Sequence, residues 1–225
     1  MIQNISKENA AKEAIKFVEN GMIVGLGTGS TAKIAVDLLG NRLSKDFQIK
    51  GMPTSIATKE QAKKLGIELV DINEYDNIDI AIDGADEVSP DKSLIKGLGG
   101  ALLREKEVEL KAKELIIIVD ETKMVDVLGN GPLPIEVDTT DYEKTGSILE
   151  KLGCRIELRI ETNNQPFVTD NGNYIYHLIF PEGIEEPIKL NQNLLEIKGV
   201  KDTGLFLNMA TKVIIGNEKG TRTIE

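Results

Sequence analysis

The chain has 225 residues, of which 40% are hydrophobic and 28% charged, a composition typical of a globular protein. Acidic residues outnumber basic ones, 37 to 27, and the net charge of −10 argues against a nucleic acid or anionic membrane as partner. One cysteine and one histidine exclude an intrachain disulfide and a zinc site with several such ligands. The N-terminal segment lacks an apolar signal core and a membrane span, so we expect a cytoplasmic protein.

The first half of the chain alternates between helix and strand patterns. Apolar residues at helical spacing, from Ile5 to Val18, predict a first helix that ends near Gly21. Apolar runs then predict strands at residues 22–26, 47–52, 67–70, 78–82 and 115–119. The helices between them are predicted at residues 31–39, 54–65 and 101–114, the second capped by Thr54 or Ser55. This alternation predicts an α/β fold with a mostly parallel sheet covered on both faces.

The pattern changes at a cluster of breaker residues, GNGP at residues 129–132. The elements predicted after it are a strand at 133–137, a helix at 142–152, a strand at 154–160, a hairpin at 166–180 that turns at Asn171 and Gly172, and a helix at 188–196. This order is typical of a small α+β domain of the split βαβ type. Short strands at 212–215 and 221–224 are expected to return to the first domain. We therefore expect one domain at residues 1–128 and 206–225 and a second at residues 129–205.

The first motif that points to chemistry is GLGTGST at residues 25–31, between a predicted strand and a predicted helix. Its glycines allow close approach of the backbone, the N–H groups of a helix N-terminus favour an anion, and the hydroxyls of Thr28, Ser30 and Thr31 add donors. A phosphate or a sugar phosphate fits these donors. The motif is not a P-loop, and as a dinucleotide fingerprint it is imperfect because Ser30 replaces the third glycine. The alternative is a tight turn with an ordinary serine or threonine helix cap.

The second motif is IDGADE at residues 82–87, which ends a predicted strand. Asp83 and Asp86 could hold sugar hydroxyls, relay protons or ligate Mg²⁺. Alternatively, they form a turn with an Asx hydrogen bond. Because ligands of open α/β sheets bind beyond the carboxyl ends of the strands, we expect these carboxylates to face the same crevice as the glycine-rich loop.

Two further segments complete the set. In IKGLGGALLREKE at residues 95–107, backbone N–H groups and Lys96 would form an oxyanion pocket, and Glu105, partly withdrawn from water, would be a base. The alternative for its charged residues is a solvated helix face. In VDETK at residues 119–123, Lys123 either reaches the same crevice or is a solvated lysine. Together these parts are the ones needed to move a proton next to the carbonyl of a sugar phosphate.

Four segments of the chain resemble, in order and spacing, the type A family of ribose-5-phosphate isomerases. They are GLGTGSTA at residues 25–32, IDGADEV at 82–88, IKGLGGALLREK at 95–106 and VDETK at 119–123. The resemblance covers the whole chain. It implies interconversion of D-ribose 5-phosphate and D-ribulose 5-phosphate, in the non-oxidative pentose phosphate pathway, without metal, nucleotide or other cofactor. It also implies a Rossmann-like main domain, a small ferredoxin-like α+β domain, and a homodimer or homotetramer.

Position by position, the resemblance makes Glu105 the general base. It implies three further catalytic residues, Asp83, Asp86 and Lys96. The residues expected to touch the substrate are Thr28, Gly29, Ser30, Thr31, Asp83, Gly84, Ala85, Asp86, Lys96, Gly97, Leu98, Gly99 and Lys123. Lys7 falls where some members carry a phosphate-binding lysine. Members commonly have glycine where this chain has Leu98, so a positive φ at this position would be strained.

Two other classes of function remain open. A sugar-phosphate-sensing regulatory protein could use the same fold, although the acidic composition and the missing DNA-binding module count against it. A nucleotide-dependent transferase or dehydrogenase could use the glycine-rich loop, but Ser30 and the lack of a clear ribose-binding acid about 20 residues later weaken this reading. His177 and Cys154 lie outside the four motifs; His177 is expected to be structural or on the surface, and Cys154 a small core residue.

Overall fold

The computed structural model describes residues 2–225, so residue 1 of the first expected domain lies outside the described residues. The helices are α1 (Ile2–Ala14), α2 (Ser30–Arg42), α3 (Ile56–Lys64), α4 (Leu102–Glu109), α5 (Tyr142–Leu149) and α6 (Pro187–Leu195). The strands are β1 (Ile23–Leu26), β2 (Lys50–Pro53), β3 (Glu68–Leu69), β4 (Ile78–Asp83), β5 (Glu87–Val88), β6 (Leu94–Ile95), β7 (Ala112–Asp120), β8 (Leu133–Val137), β9 (Arg155–Leu158), β10 (Tyr174–Ile179), β11 (Val200–Thr203), β12 (Leu205–Phe206), β13 (Lys212–Asn217) and β14 (Gly220–Ile224). Among residues 2–225, no helix is long and apolar enough to cross a bilayer.

The chain divides into two compact units. The first runs up to Ala85 and continues in Arg104–Met124 and Asn208–Glu225, and the second comprises Asp86–Leu103 and Val125–Leu207. Residues 86–103, 125–128 and 206–207, which were expected in the first domain, fall in the second unit instead. The reason is pairing and packing: β6 pairs with both β5 and β12, and Ile95 belongs to the hydrophobic cluster of the second unit.

The first unit is built on a seven-stranded sheet in the order β14-β13-β7-β4-β1-β2-β3. All neighbouring strands are parallel except β13 and β14, which are antiparallel. This confirms the predicted α/β class and the return of the last two strands to the first sheet. Strand β7 is apolar over consecutive residues, with Ile116, Ile117 and Ile118 fully buried, as expected for a parallel strand inside a sheet. The small side chains of Ala10, Ala11 and Ala14 on α1 pack in the same core.

The second unit contains a four-stranded antiparallel sheet in the order β11-β8-β10-β9. Helix α5 connects β8 to β9 and α6 connects β10 to β11, which is the βαββαβ order of a ferredoxin-like fold. Leu133, Ile135 and Val137 of β8 pack with Leu149 of α5 and Leu194 of α6 to form its core. Strands β12, β6 and β5 form a separate three-stranded sheet.

The predicted hairpin at residues 166–180 is only partly correct. Its turn forms where expected, with the Gly172 N–H donating to the Thr169 carbonyl at 2.9 Å. However, β10 pairs with β9 and β8, and residues 167–169 are not a regular strand. The Thr169 N–H still donates to the Asn173 carbonyl across the turn at 2.9 Å. The Glu136 carboxylate supports the turn, because its Oε1 accepts hydrogen bonds from Thr169 Oγ1 and Asn173 Nδ2, both at 2.9 Å.

Candidate active site

Polar residues of the first unit follow four neighbouring parallel strands, β7, β4, β1 and β2. Lys123 follows β7, Asp83 ends β4, Thr28 follows β1 and Thr54 follows β2. Because the carboxyl ends of parallel strands meet at one edge of the sheet, these residues share that edge. The Thr28 N–H donates to Asp83 Oδ1 at 2.9 Å, so the Asp83 carboxylate contacts the glycine-rich loop.

The glycine-rich loop joins β1 to α2, and its shape requires glycine at position 27. A Cβ there would overlap the Asp83 carboxylate and the Ile82 carbonyl. The cap residue of α2 is Gly29, which makes no side-chain cap bond. The alternative of an ordinary serine or threonine cap is therefore wrong. The first N–H groups of α2 have no intrahelical acceptor, and together with the helix dipole they favour an anion.

The hydroxyl of Thr28 points into a cluster of hydroxyls rather than serving as an open donor. Thr28 Oγ1 lies 2.7 Å from Thr54 Oγ1 and 2.8 Å from Ser55 Oγ. Thr58 Oγ1 in turn donates to the Gly27 carbonyl at 2.9 Å. The cluster fixes the loop to the start of α3. The sequence predicts Thr54 and Ser55 only as helix caps, although their position after the strand next to β1 is a signal for this further role.

The ammonium group of Lys7 lies next to the glycine-rich loop. Lys7 Nζ on α1 donates to Ser30 Oγ at 3.0 Å. Both groups are exposed where α2 begins, whereas Thr31 is only 8% exposed. A cavity of about 470 Å³ opens at Ser30 and is lined by Thr28, Gly29, Ser30, Lys33 of α2 and residues of α3. This volume lies in the range of small-molecule sites.

Asp83 and Lys123 have different surroundings. Asp83 is 1% exposed, and its Oδ1 accepts the N–H groups of Thr28 at 2.9 Å and Gly84 at 2.6 Å. Lys123 ends a short 3₁₀ helix, Glu121–Lys123, and is half-buried. Within residues 2–225 its ammonium group has no ion pair or hydrogen bond, so it is an available cation at this edge of the sheet.

Glu105 lies in the first turn of α4 and is 3% exposed. The next residue, Lys106, is 9% exposed, whereas Glu107 is exposed. The alternative of a solvated charged face is therefore wrong for Glu105 and Lys106. A carboxylate withdrawn from water accepts a proton more readily than an exposed one, which suits a general base.

In the second unit, Lys96 begins the loop that joins β6 to α4. Lys96 is 2% exposed, and its ammonium nitrogen lies 5.3 Å from the centre of the Phe206 ring. The loop then turns, with the Gly100 N–H donating to the Gly97 carbonyl at 2.9 Å. Asp86 Oδ2 accepts the Leu98 N–H at 3.0 Å, so this carboxylate holds the loop from one side.

The expected strain at Leu98 is absent. The positive φ values in this loop belong to Gly97, at +96°, and Gly100, at +94°, while Leu98 is not among the residues with positive φ. The loop therefore favours glycine at positions 97 and 100 and tolerates a side chain at Leu98.

Comparison with known proteins gives a consistent result. The family model described as ribose 5-phosphate isomerase A (phosphoriboisomerase A) matches residues 50–220. A ribose-5-phosphate isomerase A from Bacillus mycoides is 47% identical over 96% of this chain and 97% of its own. A solved ribose 5-phosphate isomerase A from Methanocaldococcus jannaschii has a TM-score of 0.92 at 39% identity and covers 97% of both chains. A D-ribose-5-phosphate isomerase in complex with phospho-erythronic acid has a TM-score of 0.95 at 40% identity, covering 100% of this chain and 99% of its own.

Proposed function

This chain belongs to the ribose 5-phosphate isomerase A family, and from that premise we propose that it interconverts D-ribose 5-phosphate and D-ribulose 5-phosphate through an enediolate. It is an aldose–ketose isomerase. A proton moves from C2 to C1 of the open-chain sugar, and a hydroxyl proton moves from O2 to O1. Substrate and product have the same atoms and the same electron count, so the reaction needs no oxidant or co-reactant.

Glu105 is the general base in this mechanism. Its burial, at 3% exposure in the first turn of α4, is the observation that carries the proposal. Glu105 takes the C2 proton of the aldose, and the electron pair left behind forms the C1–C2 double bond of the enediolate. The protonated Glu105 then returns the proton to C1, which gives the ketose.

Lys96 and the backbone of the loop from Gly97 to Gly99, in which Asp86 holds the Leu98 N–H, stabilise the negative charge that develops on O1. A buried ammonium group supports this role, because an interaction with a developing charge is stronger away from water. Donors fixed in advance by the turn need no reorganisation when the charge forms.

Asp83 and Asp86 bind the O1 and O2 hydroxyls and exchange protons with them. Both carboxylates are held by backbone N–H groups, from Thr28 to Asp83 and from Leu98 to Asp86, which supports fixed orientations. Gly84 lies beside them in the loop after β4.

The phosphate binds at the N-terminus of α2. The N–H groups from Gly29 to Thr31, the Ser30 hydroxyl and the Lys7 ammonium supply the donors, supported by the Lys7 to Ser30 hydrogen bond of 3.0 Å. Thr28 contributes through its backbone position, since its hydroxyl is engaged with Thr54 and Ser55. Lys123 and the backbone at Ala85 complete the substrate contacts.

The test is turnover of ribose 5-phosphate without added nucleotide or metal. Glu105→Gln should reduce kcat by about 10² to 10⁴, the usual range for loss of a general base. Glu107→Gln is the matched control, because Glu107 lies on the same helix but is exposed, and its kcat should stay within about twofold of wild type. Phosphoerythronic acid should bind Glu105→Gln normally. Near-normal turnover by Glu105→Gln would refute the assignment, and binding without any turnover by wild type would favour a sugar-phosphate sensor.

We also infer a cytoplasmic homodimer or homotetramer with no nucleic-acid or membrane partner. The net charge of −10 supports the absence of polyanionic partners, and family membership supports self-association. Light scattering coupled to size-exclusion chromatography measures the oligomer directly.

A further inference from the structure

Arg159, immediately after β9, contacts the loop at residues 96–101 that joins β6 to α4, here called the oxyanion loop. Its Nη1 donates to the Leu98 carbonyl at 2.9 Å. Its guanidinium carbon lies 3.6 Å from the centre of the Phe167 ring, so the planar group is stacked on an aromatic face. Both backbone groups of Leu98 are therefore hydrogen-bonded to side chains: the N–H donates to Asp86, and the carbonyl accepts from Arg159.

The support beneath Arg159 is itself fixed. Its backbone N–H donates to the Ile175 carbonyl at 2.8 Å, and its carbonyl accepts the Phe167 N–H at 2.9 Å. Phe167 also packs against the loop, because a Cβ at Gly100 would lie 2.6 Å from two carbons of the Phe167 ring. Arg159 and Phe167 therefore meet the loop as a pair anchored to the four-stranded sheet.

Peptide planarity turns this contact into an effect on the active site. The Leu98 carbonyl and the Gly99 N–H belong to the same peptide unit, and the structure has no cis peptide bond within residues 2–225. In a trans peptide the carbonyl and the N–H point in opposite directions. A guanidinium that fixes the Leu98 carbonyl therefore also fixes the direction of the Gly99 N–H.

The Gly99 N–H is available for a ligand. The Leu98 N–H is bound by Asp86, and the Gly100 N–H by the Gly97 carbonyl. Among residues 2–225, none accepts a hydrogen bond from the Gly99 N–H, and Gly99 is exposed.

We propose that Arg159 is a positioning residue that aims the Gly99 N–H at the developing oxyanion of the isomerase reaction. The proposal rests on the proposed function. Arg159 acts through the peptide between Leu98 and Gly99 and does not itself touch the substrate. Its loss should leave ground-state binding of the phosphate unchanged and weaken the interaction that grows as the enediolate forms.

The test compares Arg159→Ala, Arg159→Lys and a matched control, Arg155→Ala. Arg155 is the first residue of β9, four positions before Arg159, and its exposed side chain pairs with Glu157 at 3.2 Å. Arg159→Ala should lower kcat by about 10- to 100-fold, a loss no greater than that caused by removing a complete oxyanion donor. Its KM should stay within about threefold of wild type. Arg159→Lys should recover part of kcat because lysine keeps one cationic donor but not the stacked plane. Arg155→Ala should match wild type.

Binding measurements make the result independent of turnover. Phosphoerythronic acid carries a carboxylate next to its hydroxyls, whereas inorganic phosphate probes the α2 N-terminus alone. Arg159→Ala should weaken binding of phosphoerythronic acid by about tenfold and leave binding of inorganic phosphate unchanged. If wild type does not isomerise ribose 5-phosphate, the proposed function fails, and the binding difference then shows only whether Arg159 positions the Gly99 N–H for an anionic ligand.

Urea unfolding checks that each variant is folded. If Arg159→Ala does not fold, Phe167→Leu is measured in its place. This variant keeps the Arg159 guanidinium but removes the ring that orients the guanidinium, so kcat should fall about three- to tenfold. A folded Arg159→Ala with kcat within threefold of wild type would overturn the proposal. A rise in KM with kcat retained would also overturn it, since Arg159 would then bind the substrate itself.

Discussion

Replacing Lys7 by methionine should weaken substrate binding without slowing the chemical step. Lys7 Nζ lies 3.0 Å from Ser30 Oγ at the start of α2. A phosphate oxygen that accepts the Ser30 hydroxyl proton at ordinary hydrogen-bond length would lie no more than about 6 Å from the ammonium nitrogen. Lysine and phosphate are then close enough to attract each other directly.

The size of the effect follows from Coulomb's law in a solvated setting. Two unit charges 4 Å apart in water attract by about 1 kcal/mol, and a phosphate monoester carries nearly two negative charges at neutral pH. The lost attraction is therefore about 1 to 2 kcal/mol, which corresponds to a rise in KM of about 5- to 30-fold. The phosphate does not react, so the attraction is equal in the ground and transition states, and kcat should stay within about twofold.

The assay measures kcat and KM for ribose 5-phosphate at about 20 mM and about 500 mM salt, because screening should shrink the difference between Lys7→Met and wild type. Lys12→Met is the matched control. Lys12 lies on the same helix and pairs with Glu8 at 3.1 Å. A fall in kcat with KM unchanged, or an equal effect of Lys12→Met, would refute the assignment of Lys7 to the phosphate.

Three further predictions follow from the site. In steady-state kinetics, Thr31→Ala should mainly raise KM, by about fivefold, whereas Lys96→Ala should mainly lower kcat, by about 10² to 10³. The reverse pattern would mean that Thr31 stabilises the oxyanion and Lys96 binds the phosphate. Activity should survive exhaustive EDTA treatment, because oxygens of Asp83 and Asp86 are bound by backbone N–H groups; loss on chelation with recovery in Mg²⁺ would make them metal ligands. Burial lowers the pKa of His177 from 6.5, so the unfolded chain binds the proton more readily and stability should fall as pH drops below 6.5. NMR titration of this single histidine tests the direction, and a midpoint above 6.5 would contradict it.

Local sequence patterns predicted most elements, and they failed where sheet pairing outweighed local preference. Strand β8 has the predicted bounds, and Ser55 caps α3 by accepting the Thr58 N–H at 3.1 Å. The helix predicted at residues 101–114 instead ends at Glu109, and β7 begins at Ala112. Charged residues at 111–114 favour a helix locally, but in the sheet Ala112 pairs with Ile78.

The first helix shows the same limit. Ile5 was expected on the buried face, yet it is 43% exposed, and Ser6, one residue later, is buried. The buried face of α1 depends on contacts with residues distant in sequence, such as the hydrogen bond of 2.8 Å from Asn9 Nδ2 to the Asn217 carbonyl. No pattern within the helix reveals a partner more than 200 residues away.

The candidate site likewise contains residues that the sequence reveals and residues that it does not. Its motifs could be found because each is a short run at the end of a strand, where composition alone marks glycines, hydroxyls and carboxylates. The residues that support these motifs could not be found in this way. Thr58 and Arg159 each contact a loop carbonyl far away in sequence, and neither belongs to a local motif.

The acidic composition and an anionic substrate are compatible because several carboxylates are bound by the chain's own backbone. Asp83 accepts two N–H groups, Asp86 accepts one, and Glu87 accepts those of Gly129 and Gly131. A carboxylate bound in this way is partly neutralised by the N–H dipoles and also fixes the loop that donates them. By contrast, the N–H groups that open α2 are not capped by a side chain, so they remain for a ligand. A net charge of −10 therefore describes the whole surface, while the local arrangement of donors decides where a phosphate can bind.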